Sequence, residues 1–193
     1  RLLMWPVKEL ACQMGMAGKE KEQYIAMMQK ELINKLCQDA MELDDDEDLI
    51  VLDWFNGRRY PMINESVKGA VSGLTLGTSA VSLFRAIVLS TVFGSRRIFD
   101  SFITRGIKIN EMITVGGIAK RSPLVMQMMA DVLKRPIKVA RSEQACAQGA
   151  AMYAAAAAGI YTDLLEAQEH MVEGFERIYT PDVKMFGKYD ILY

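Results

Sequence analysis

Apolar residues recur at helical spacing within residues 19–38 of the chain. They fall on one side of a helix, while lysine and glutamate fill the other side, so the segment is predicted to form an amphipathic helix. The members of this stripe are Tyr24, Ile25, Met28, Leu32 and Leu36. The acidic run DDDED at 44–48 follows, and we interpret it as a solvated loop, because adjacent carboxylates without interleaved glycine do not match a calcium-binding loop.

The middle of the chain changes from helical spacing to a continuous apolar run. Residues 49–59, LIVLDWFNGRR, are typical of a buried strand that runs into an Asn56-Gly57 turn. The next segment, 67–79, carries glycines four residues apart at positions 69, 73 and 77. Such spacing fits either a helical turn that allows close backbone approach or an irregular loop around a ligand, and periodicity does not separate the two.

A long helix is predicted from about Ala80 to Arg105, with Gly106 as its stop. Its predicted apolar stripe consists of Phe84, Ile87, Val88, Thr91, Val92, Ile98, Phe99 and Phe102. A strand over 111–115 then ends in Gly116-Gly117. Ser122 is well placed as the N-cap, with Pro123 in the first position, of a helix that reaches about Lys134.

The last third of the chain repeats the alternation of strand and helix. Residues 136–140 are predicted to form a strand, and residues 143–161 a helix that ends at Gly159. The alanine and glycine faces of this helix indicate tight packing against a neighbour. A final helix is predicted over 163–171. Strands that alternate with helices predict an α/β domain with a mixed or parallel sheet. Ligands of such sheets bind at the carboxyl ends of strands, which is where Gly116 and Gly117 fall.

Composition and charge narrow the class of protein. With 193 residues, 51% hydrophobic and 24% charged, and a formal net charge of −1, the chain suits one globular domain. It has no basic stripe for neutralising phosphates, which argues against nucleic acid as a partner. The longest apolar stretch, 150–161, is too short and alanine-rich for a membrane span, and no signal peptide is visible, so we expect a cytoplasmic protein without a membrane partner.

The cysteines and the single histidine add no chemistry. Cys12, Cys37 and Cys146 are scattered, so neither a disulfide framework nor a zinc site is expected. His170 lies in an amphipathic segment and is interpreted as a solvated helix residue. The chain begins at Arg1 in apolar sequence and stops at KYDILY in the manner of an unfinished strand, which we interpret as a piece of a longer protein.

The segment ITVGGIAKRSP, 113–123, is the main candidate for binding. Two glycines at the end of a strand, shortly before a helix N-terminus, suit a phosphate or the polar edge of a nucleotide, but they equally suit a plain turn. The segment lacks the P-loop and dinucleotide fingerprints, so Glu143 is only a weak candidate for a ribose ligand. Lys120 and Arg121 either contact phosphate or base, or are solvated. The cations of NGRR, 56–59, are interpreted as surface charge.

The sequence motifs do not include the set of residues that would carry out phosphoryl transfer. Such an enzyme needs a base, phosphate-cradling loops and a metal-binding carboxylate. Asp53, at the end of a predicted strand, is the best single acid, and nothing beside it in the sequence suggests a partner. The residues therefore indicate a chain that binds a nucleotide without turning it over.

Three blocks in this order resemble the C-terminal part of the FGGY carbohydrate kinases. They are LDWFNGRRYP, the pattern GxxxGLTxGT followed by a long helix, and GGxxxxS followed by a strand and QGAA. The resemblance covers roughly 49–167, and within the family it is strongest to the L-ribulose kinases. The order and spacing of the blocks are more diagnostic than any one of them.

The resemblance implies an actin-like ATPase (ribonuclease H-like) domain, with a mixed sheet flanked by helices. In this family two such domains enclose a cleft, with the sugar mostly against the N-terminal domain and ATP largely against the C-terminal one. By this similarity residues 49–193 are the C-terminal nucleotide-binding domain, and 1–48 are a partial helical and acidic lead-in region with no assignable block. The N-terminal sugar-binding and catalytic domain is expected to be absent.

Similarity also assigns roles to individual residues. Gly116 and Gly117 are expected to line the adenosine site, with Arg121 against the base. Gly69 and Gly73 match positions near the nucleotide, with Ser72 beside them. Gly149 of QGAA matches a glycine that lets its helix approach the cleft. No residue of this chain is assigned as a catalytic base or metal ligand, since the family's catalytic aspartate and phosphate loops belong to missing parts; LGTS at 76–79 is not in the place of such a loop.

The implied function is transfer of the γ-phosphate of ATP, with Mg²⁺, to a ketopentose hydroxyl. L-Ribulose is the first choice, giving L-ribulose 5-phosphate in arabinose catabolism. The alternatives are another FGGY kinase such as a xylulokinase, and a non-catalytic actin-like module that binds nucleotide to regulate partners; a Rossmann-type oxidoreductase lacks its fingerprint. Expected partners are ATP or ADP, the sugar, and the N-terminal domain, with a homodimer left open.

Overall fold

The computed structural model describes residues 5–43 and 49–193, so the acidic run at 44–48 and its predicted loop lie outside the described residues. The described residues divide into two units. The first combines those before Asp48 with Thr75–Arg85, and the second combines 49–74 with Ala86–Tyr193. The sequence did not indicate that 75–85 would group with the start of the chain.

The first unit consists mainly of helix α1, Trp5–Gln13, and helix α2, Gly18–Glu42. The predicted amphipathic helix is confirmed and is four residues longer at its carboxyl end. Leu36 and Ala40 are buried, and the other members of the predicted stripe are half-buried, whereas the lysine and glutamate face is exposed. An ion pair between Lys35 and Asp39, with 2.7 Å between Nζ and Oδ1, lies on α2 one turn apart.

In the second unit, strands β1, Ile50–Leu52, and β2, Ala70–Ser72, form an antiparallel ribbon with Val51 opposite Val71. We call residues 50–74 the ribbon segment. The expectation of a buried strand at 49–59 was wrong in part: Val51 is buried, but its neighbours on both sides are exposed. β2 was also missed, because neither a helical turn nor a ligand loop describes a three-residue strand.

The long helix is confirmed as α3, Ala80–Thr104, and Gly106 follows it with φ +78°. The buried apolar residues of α3 are Ala86, Leu89 and Val92, and only Val92 belongs to the predicted stripe. Thr91 is exposed, and about 40% of the surface of Ile98 and of Phe102 is accessible to solvent. The stripe was misplaced because small and polar residues, including buried Ser90, occupy the packed face.

Strands β3, Met112–Thr114, β4, Ile137–Ala140, and β5, Phe175–Tyr179, form a second sheet. β3 and β4 are parallel, with Ile113 opposite Lys138, and β5 runs antiparallel to β4. The alternation predicted a mixed or parallel sheet, and the observed sheet is mixed. The pattern did not predict β5, because its sequence FERIY mixes charged and apolar residues.

Helix α5, Pro123–Leu133, lies between β3 and β4 in the chain and has more buried residues than any other described helix or strand. Seven of its residues are buried, as expected for a helix that crosses between parallel strands. Apolar side chains from α5 and β4 form one cluster with a residue of the short helix that precedes α5; its buried members are Ala119, Met126, Ala130, Leu133, Ile137 and Val139.

Four further helices complete the described structure: α4, Gly117–Arg121, α6, Ala145–Ala157, α7, Leu164–Met171, and α8, Phe186–Leu192, the last preceded by a short 3₁₀ helix, Val183–Met185. α6 packs against α7, but only Met152 and Ala155 of α6 are buried, so the tight packing expected of its alanine and glycine faces is not seen among the described residues. His170 is exposed and stacks on Tyr161.

The carboxyl end of the chain is helical, so the interpretation of KYDILY as an unfinished strand was wrong. Two residues of α5 hold the segment before α8. Buried Asp131 accepts hydrogen bonds from the Asp182 backbone N–H at 2.7 Å and from Gln127 Nε2 at 2.9 Å, and Gln127 also donates to the Thr180 carbonyl at 2.8 Å. None of the helices within 5–43 and 49–193 is both long and apolar enough to cross a membrane.

Candidate functional site

The chain turns sharply where β3 ends. Gly116 has φ +91° and ψ −178°, a backbone conformation that is essentially restricted to glycine. A Cβ placed on Gly116 would meet no described atom within 4 Å. The requirement for glycine here comes from the backbone conformation, and the space beside the turn is open. The carboxyl end of β3 therefore presents bare backbone to its surroundings.

Gly117 begins helix α4, and Arg121 ends it. The guanidinium of Arg121 lies 3.7 Å from the position that a Cβ on Gly117 would take, and both residues are exposed. The structure thus brings together Gly116, Gly117 and Arg121, three of the residues predicted for the site. A planar cation beside bare backbone is suited to lie along a flat ring or against an anion.

Lys120 is not the solvated cation that one of the two alternatives proposed. Its Nζ donates to the Arg141 carbonyl at 2.5 Å and lies 3.2 Å from Glu176 Oε2, with 18% of the side chain exposed. It is therefore engaged with the protein. The cations of NGRR are also engaged locally, since Arg58 donates to the Met62 carbonyl and Arg59 pairs with Glu65.

Helix ends contribute little to this site. Ser122 caps α5 as predicted, accepting a hydrogen bond from the Val125 N–H at 3.4 Å, and Pro123 has no N–H to offer. α4 has only five residues, which is too short for a substantial dipole. Attraction of an anion at this point would have to come from Arg121 and from the backbone of the turn.

The other predicted residues, Gly69, Ser72 and Gly73, lie in the ribbon segment. A Cβ on Gly69 would lie 2.5 Å from the Phe55 ring and 2.9 Å from the Leu52 carbonyl oxygen, so this glycine permits a close approach within the ribbon. Ser72 is an exposed residue of β2, and Gly73 follows with φ +89°. No hydrogen bond or ion pair among the described residues joins this set to the turn after β3.

Gly149 lies in α6, and a Cβ there would meet no described atom within 4 Å. The space at that Cβ position is open within the described part of the chain, although the neighbouring Gln148 donates to the Met171 carbonyl at 2.6 Å. The roles assigned by similarity to Gly149, to the ribbon residues and to the turn remain predictions.

A cavity of about 860 Å³ was not anticipated from the sequence. It lies between the ribbon segment and α3, and its polar lining includes Asp53, Arg97 and Tyr193. Burial raises the pKa of Asp53 above its ordinary value, and its own backbone N–H partly offsets the rise. No other described residue donates a hydrogen bond to this carboxylate. Among the described residues there is no group of three or more histidine, cysteine or carboxylate side chains that could hold a metal ion.

A family model described as "FGGY family of carbohydrate kinases, C-terminal domain" matches residues 2–158. The chain belongs to this family. The match begins well before residue 49, so residues 2–48 belong to the matched region although they show no recognisable block. It ends before α7 and β5.

The relatives agree with this assignment. A ribulokinase from Vibrio parahaemolyticus is 40% identical over 189 residues, which are 95% of this chain and 32% of the relative. A ribulokinase from Geobacillus thermodenitrificans is 38% identical over 149 residues, which are 75% of this chain and 26% of the relative. The chain therefore spans about a third or less of the length of these two curated relatives.

Solved structures confirm the fold. A xylulose kinase from Rhodospirillum rubrum superposes with a TM-score of 0.71 at 23% identity, covering 98% of this chain and 35% of that one. A Plasmodium falciparum glycerol kinase, whose structure was determined with ADP, has a TM-score of 0.67 at 22% identity. The superposition covers 86% of this chain and 35% of the glycerol kinase. The predicted actin-like ATPase fold with a mixed sheet is thereby confirmed.

Proposed function

We propose that this chain is the nucleotide-binding part of an ATP-dependent sugar kinase that phosphorylates L-ribulose. The observation that carries the proposal is the 40% identity to a ribulokinase along 95% of the chain. The open turn at Gly116 and Gly117 supports it, because bare backbone beside Arg121 can accept the adenosine of ATP or ADP. A cytoplasmic location is part of the same proposal.

The proposed reaction moves one phosphoryl group. A hydroxyl oxygen of the ketopentose, the one at C5, bonds to the γ-phosphorus while the bond from γ-phosphorus to the bridging oxygen of ADP breaks, and the hydroxyl proton passes to a base. ATP becomes ADP, and the sugar becomes L-ribulose 5-phosphate. We place the base outside this chain, since Asp53, the half-buried carboxylate that lines the cavity beside the ribbon segment, has no hydrogen-bond donor among the described residues apart from its own backbone N–H.

Mg²⁺ would accompany ATP in this proposal. The described residues provide no cluster of ligands for it, so the ion would be held by the phosphates and by residues elsewhere in the intact protein. When bound, it would neutralise charge on the transferred phosphate.

The first test uses the intact protein that carries this chain. With ATP and Mg²⁺, ADP production should depend on L-ribulose and be slower with D-xylulose or glycerol. A preference for D-xylulose would assign the chain to another FGGY kinase. Nucleotide binding without ADP production from any of the sugars would favour a regulatory module and contradict the kinase proposal.

The second test uses the chain of 193 residues. It should bind ATP or ADP weakly and produce no ADP in the presence of L-ribulose. Turnover by this chain would contradict our placement of the base outside it.

The third test locates the nucleotide. In the intact protein, Gly117→Val should raise the KM for ATP and leave the KM for the sugar nearly unchanged, because the new side chain would fill the bare surface beside Arg121. Gly187→Val is a matched control, since Gly187 is also near the start of a short helix, α8, with open space at its Cβ position. A rise in the sugar KM alone for Gly117→Val would contradict the assignment.

A further inference from the structure

Helix α4 has five residues, which is too few to be stable without contacts to the rest of the protein. Its orientation is therefore set by the side chains that anchor it. Ala119 is buried in the core cluster on one side, and Lys120 makes the polar contacts described above on another. The other three residues of α4, including Gly117 and Arg121, are exposed.

We infer that Lys120 is a positioning residue, which holds the turn at Gly116 and Gly117 in the orientation that accepts a nucleotide. The inference rests on the proposed function and adds a residue that similarity did not assign. Lys120 does not touch the nucleotide in this proposal. It acts through α4, whose first residue is Gly117 and whose last is Arg121.

The contacts of Lys120 join three elements at one nitrogen. The Arg141 carbonyl follows β4 directly, and Glu176 lies on β5. The Arg141 backbone N–H in turn donates to the Gly174 carbonyl at 3.1 Å, just before β5. Lys120 therefore fixes α4 to a part of the sheet edge that is itself held by backbone hydrogen bonds.

Removal of the Lys120 ammonium should change the orientation of α4 more than the folding stability of the protein. Glu176 is 52% exposed, so water can solvate its carboxylate when Lys120 is replaced, and the loss of folding free energy should be small. Ala119 would remain as the single buried anchor within α4, and the helix could then swing about it. A shift of about 1 Å in the binding residues is enough to weaken an oriented interaction strongly.

Lys138 provides a matched control. It lies on β4, and its Nζ is 2.6 Å from Glu111 Oε1, with 26% of the side chain exposed. Glu111 precedes β3, so this ion pair is at the end of β3 opposite the glycine turn. Both lysines are mostly buried and pair with a half-exposed glutamate, but only Lys120 belongs to α4 and ties the glycine turn to the sheet.

The experiment compares variants of the intact protein by ADP affinity, by the KM values for ATP and sugar, and by the denaturant midpoint of unfolding. Lys120→Met should weaken ADP binding and raise the KM for ATP about tenfold, with the sugar KM and the unfolding midpoint nearly unchanged. Lys120→Arg should restore most of the affinity, because guanidinium can also donate to a carbonyl and a carboxylate. Lys138→Met should change ADP affinity by less than about twofold.

The other outcomes would contradict either the positioning role of Lys120 or the proposed function itself. If Lys120→Met binds ADP normally while Gly117→Val does not, the positioning role is wrong and the proposed nucleotide site stands. If Lys120→Met and Lys138→Met weaken binding equally, or if affinity falls only in proportion to unfolding and Lys120→Arg gives no rescue, Lys120 is merely structural. If the unmodified protein binds neither ATP nor ADP, the proposed function fails, and this inference fails with it.

Discussion

In the ribbon segment, two glycines lie close against other parts of the chain: a Cβ on Gly57 would lie 2.7 Å from the Glu65 Cα, and one on Gly69 would lie 2.5 Å from the Phe55 ring. In the turn after β3, a Cβ on Gly116 would meet no described atom within 4 Å, and one on Gly117 would meet only the end of the Arg121 side chain. The first pair of glycines permits close packing within the chain. The second pair leaves backbone uncovered, which is what a ligand requires.

The strongest test of this comparison is Gly57→Ala. Gly57 has φ +73°, and its Cβ position is blocked by the backbone of Glu65 and Asn64, so both strain and overlap oppose a side chain. We expect the free energy of unfolding to fall by about 3 kcal/mol. Urea unfolding followed by tryptophan fluorescence would measure it, with Gly187→Ala as a control in open space. A loss below about 1 kcal/mol would contradict close packing here.

Gly69→Ala should cost less, about 2 kcal/mol, because part of the overlap is with the exposed ring of Phe55, which can move. The Leu52 carbonyl oxygen, 2.9 Å from the Cβ position, is backbone and cannot move as easily. The double variant Gly69→Ala/Phe55→Ala separates the two contributions. Gly69→Ala should cost less stability when it is added to Phe55→Ala than when it is added to the unmodified chain. If it cost nothing in the Phe55→Ala variant, the Leu52 contact would be unimportant.

Gly149→Ala should have the opposite sign. The position is inside α6 with open space around it, and alanine favours a helix by about 0.5–1 kcal/mol over glycine. Calorimetric or denaturant unfolding of the 193-residue chain should show this gain. A loss of stability would show that something packs closely against α6 at this point, and the contrast between packed and bare glycines would not extend to α6.

The smallest expected effect is a pH dependence in the ribbon segment. Because burial raises the pKa of Asp53 above its ordinary 3.8, the folded state holds this proton more tightly than the unfolded state does. The resulting stabilisation is present below the ordinary pKa and is lost as pH rises through the raised value.

The Asp53→Asn variant should therefore lack this decline in the free energy of unfolding from acid to neutral pH. Glu65→Gln, also in the ribbon segment but exposed and paired with Arg59, is the control. Identical pH profiles for Asp53→Asn and the unmodified chain would show that Asp53 is solvated as freely in the folded state as in the unfolded one.

The sequence predicted the elements whose signals are local. α3 begins at the predicted Ala80, β4 lies within the predicted 136–140, and the Ser122-Pro123 start of α5 follows directly from capping preferences. β2 and β5 escaped prediction because pairing across the sheet, and not their own residues, makes them strands. The face of α3 was misjudged because buried Ser90 contributes to the packed side.

The site was predictable to a similar degree. Gly116, Gly117 and Arg121 were found as a motif, and the structure places them side by side. The contact between Lys120 and the Arg141 carbonyl spans 21 positions and could not be found by spacing along the chain. Gly69 and Gly73 were grouped with the turn by similarity alone, and no physical signal in the sequence distinguishes the packed Gly69 from the open Gly116.

The antiparallel pairing of β5 with β4 bears on where this domain can be shortened. The family match stops at residue 158, yet Tyr179 pairs with Ile137 of the core, and Asp131 and Gln127 hold residues 180–182. A chain cut after 158 would expose the second edge of β4 to pairing with other molecules and leave a buried carboxylate without its backbone donor. Lys120 would also lose Glu176. The smallest soluble unit for crystallisation or spectroscopy should therefore extend through the Asp182 region, beyond the boundary suggested by sequence similarity.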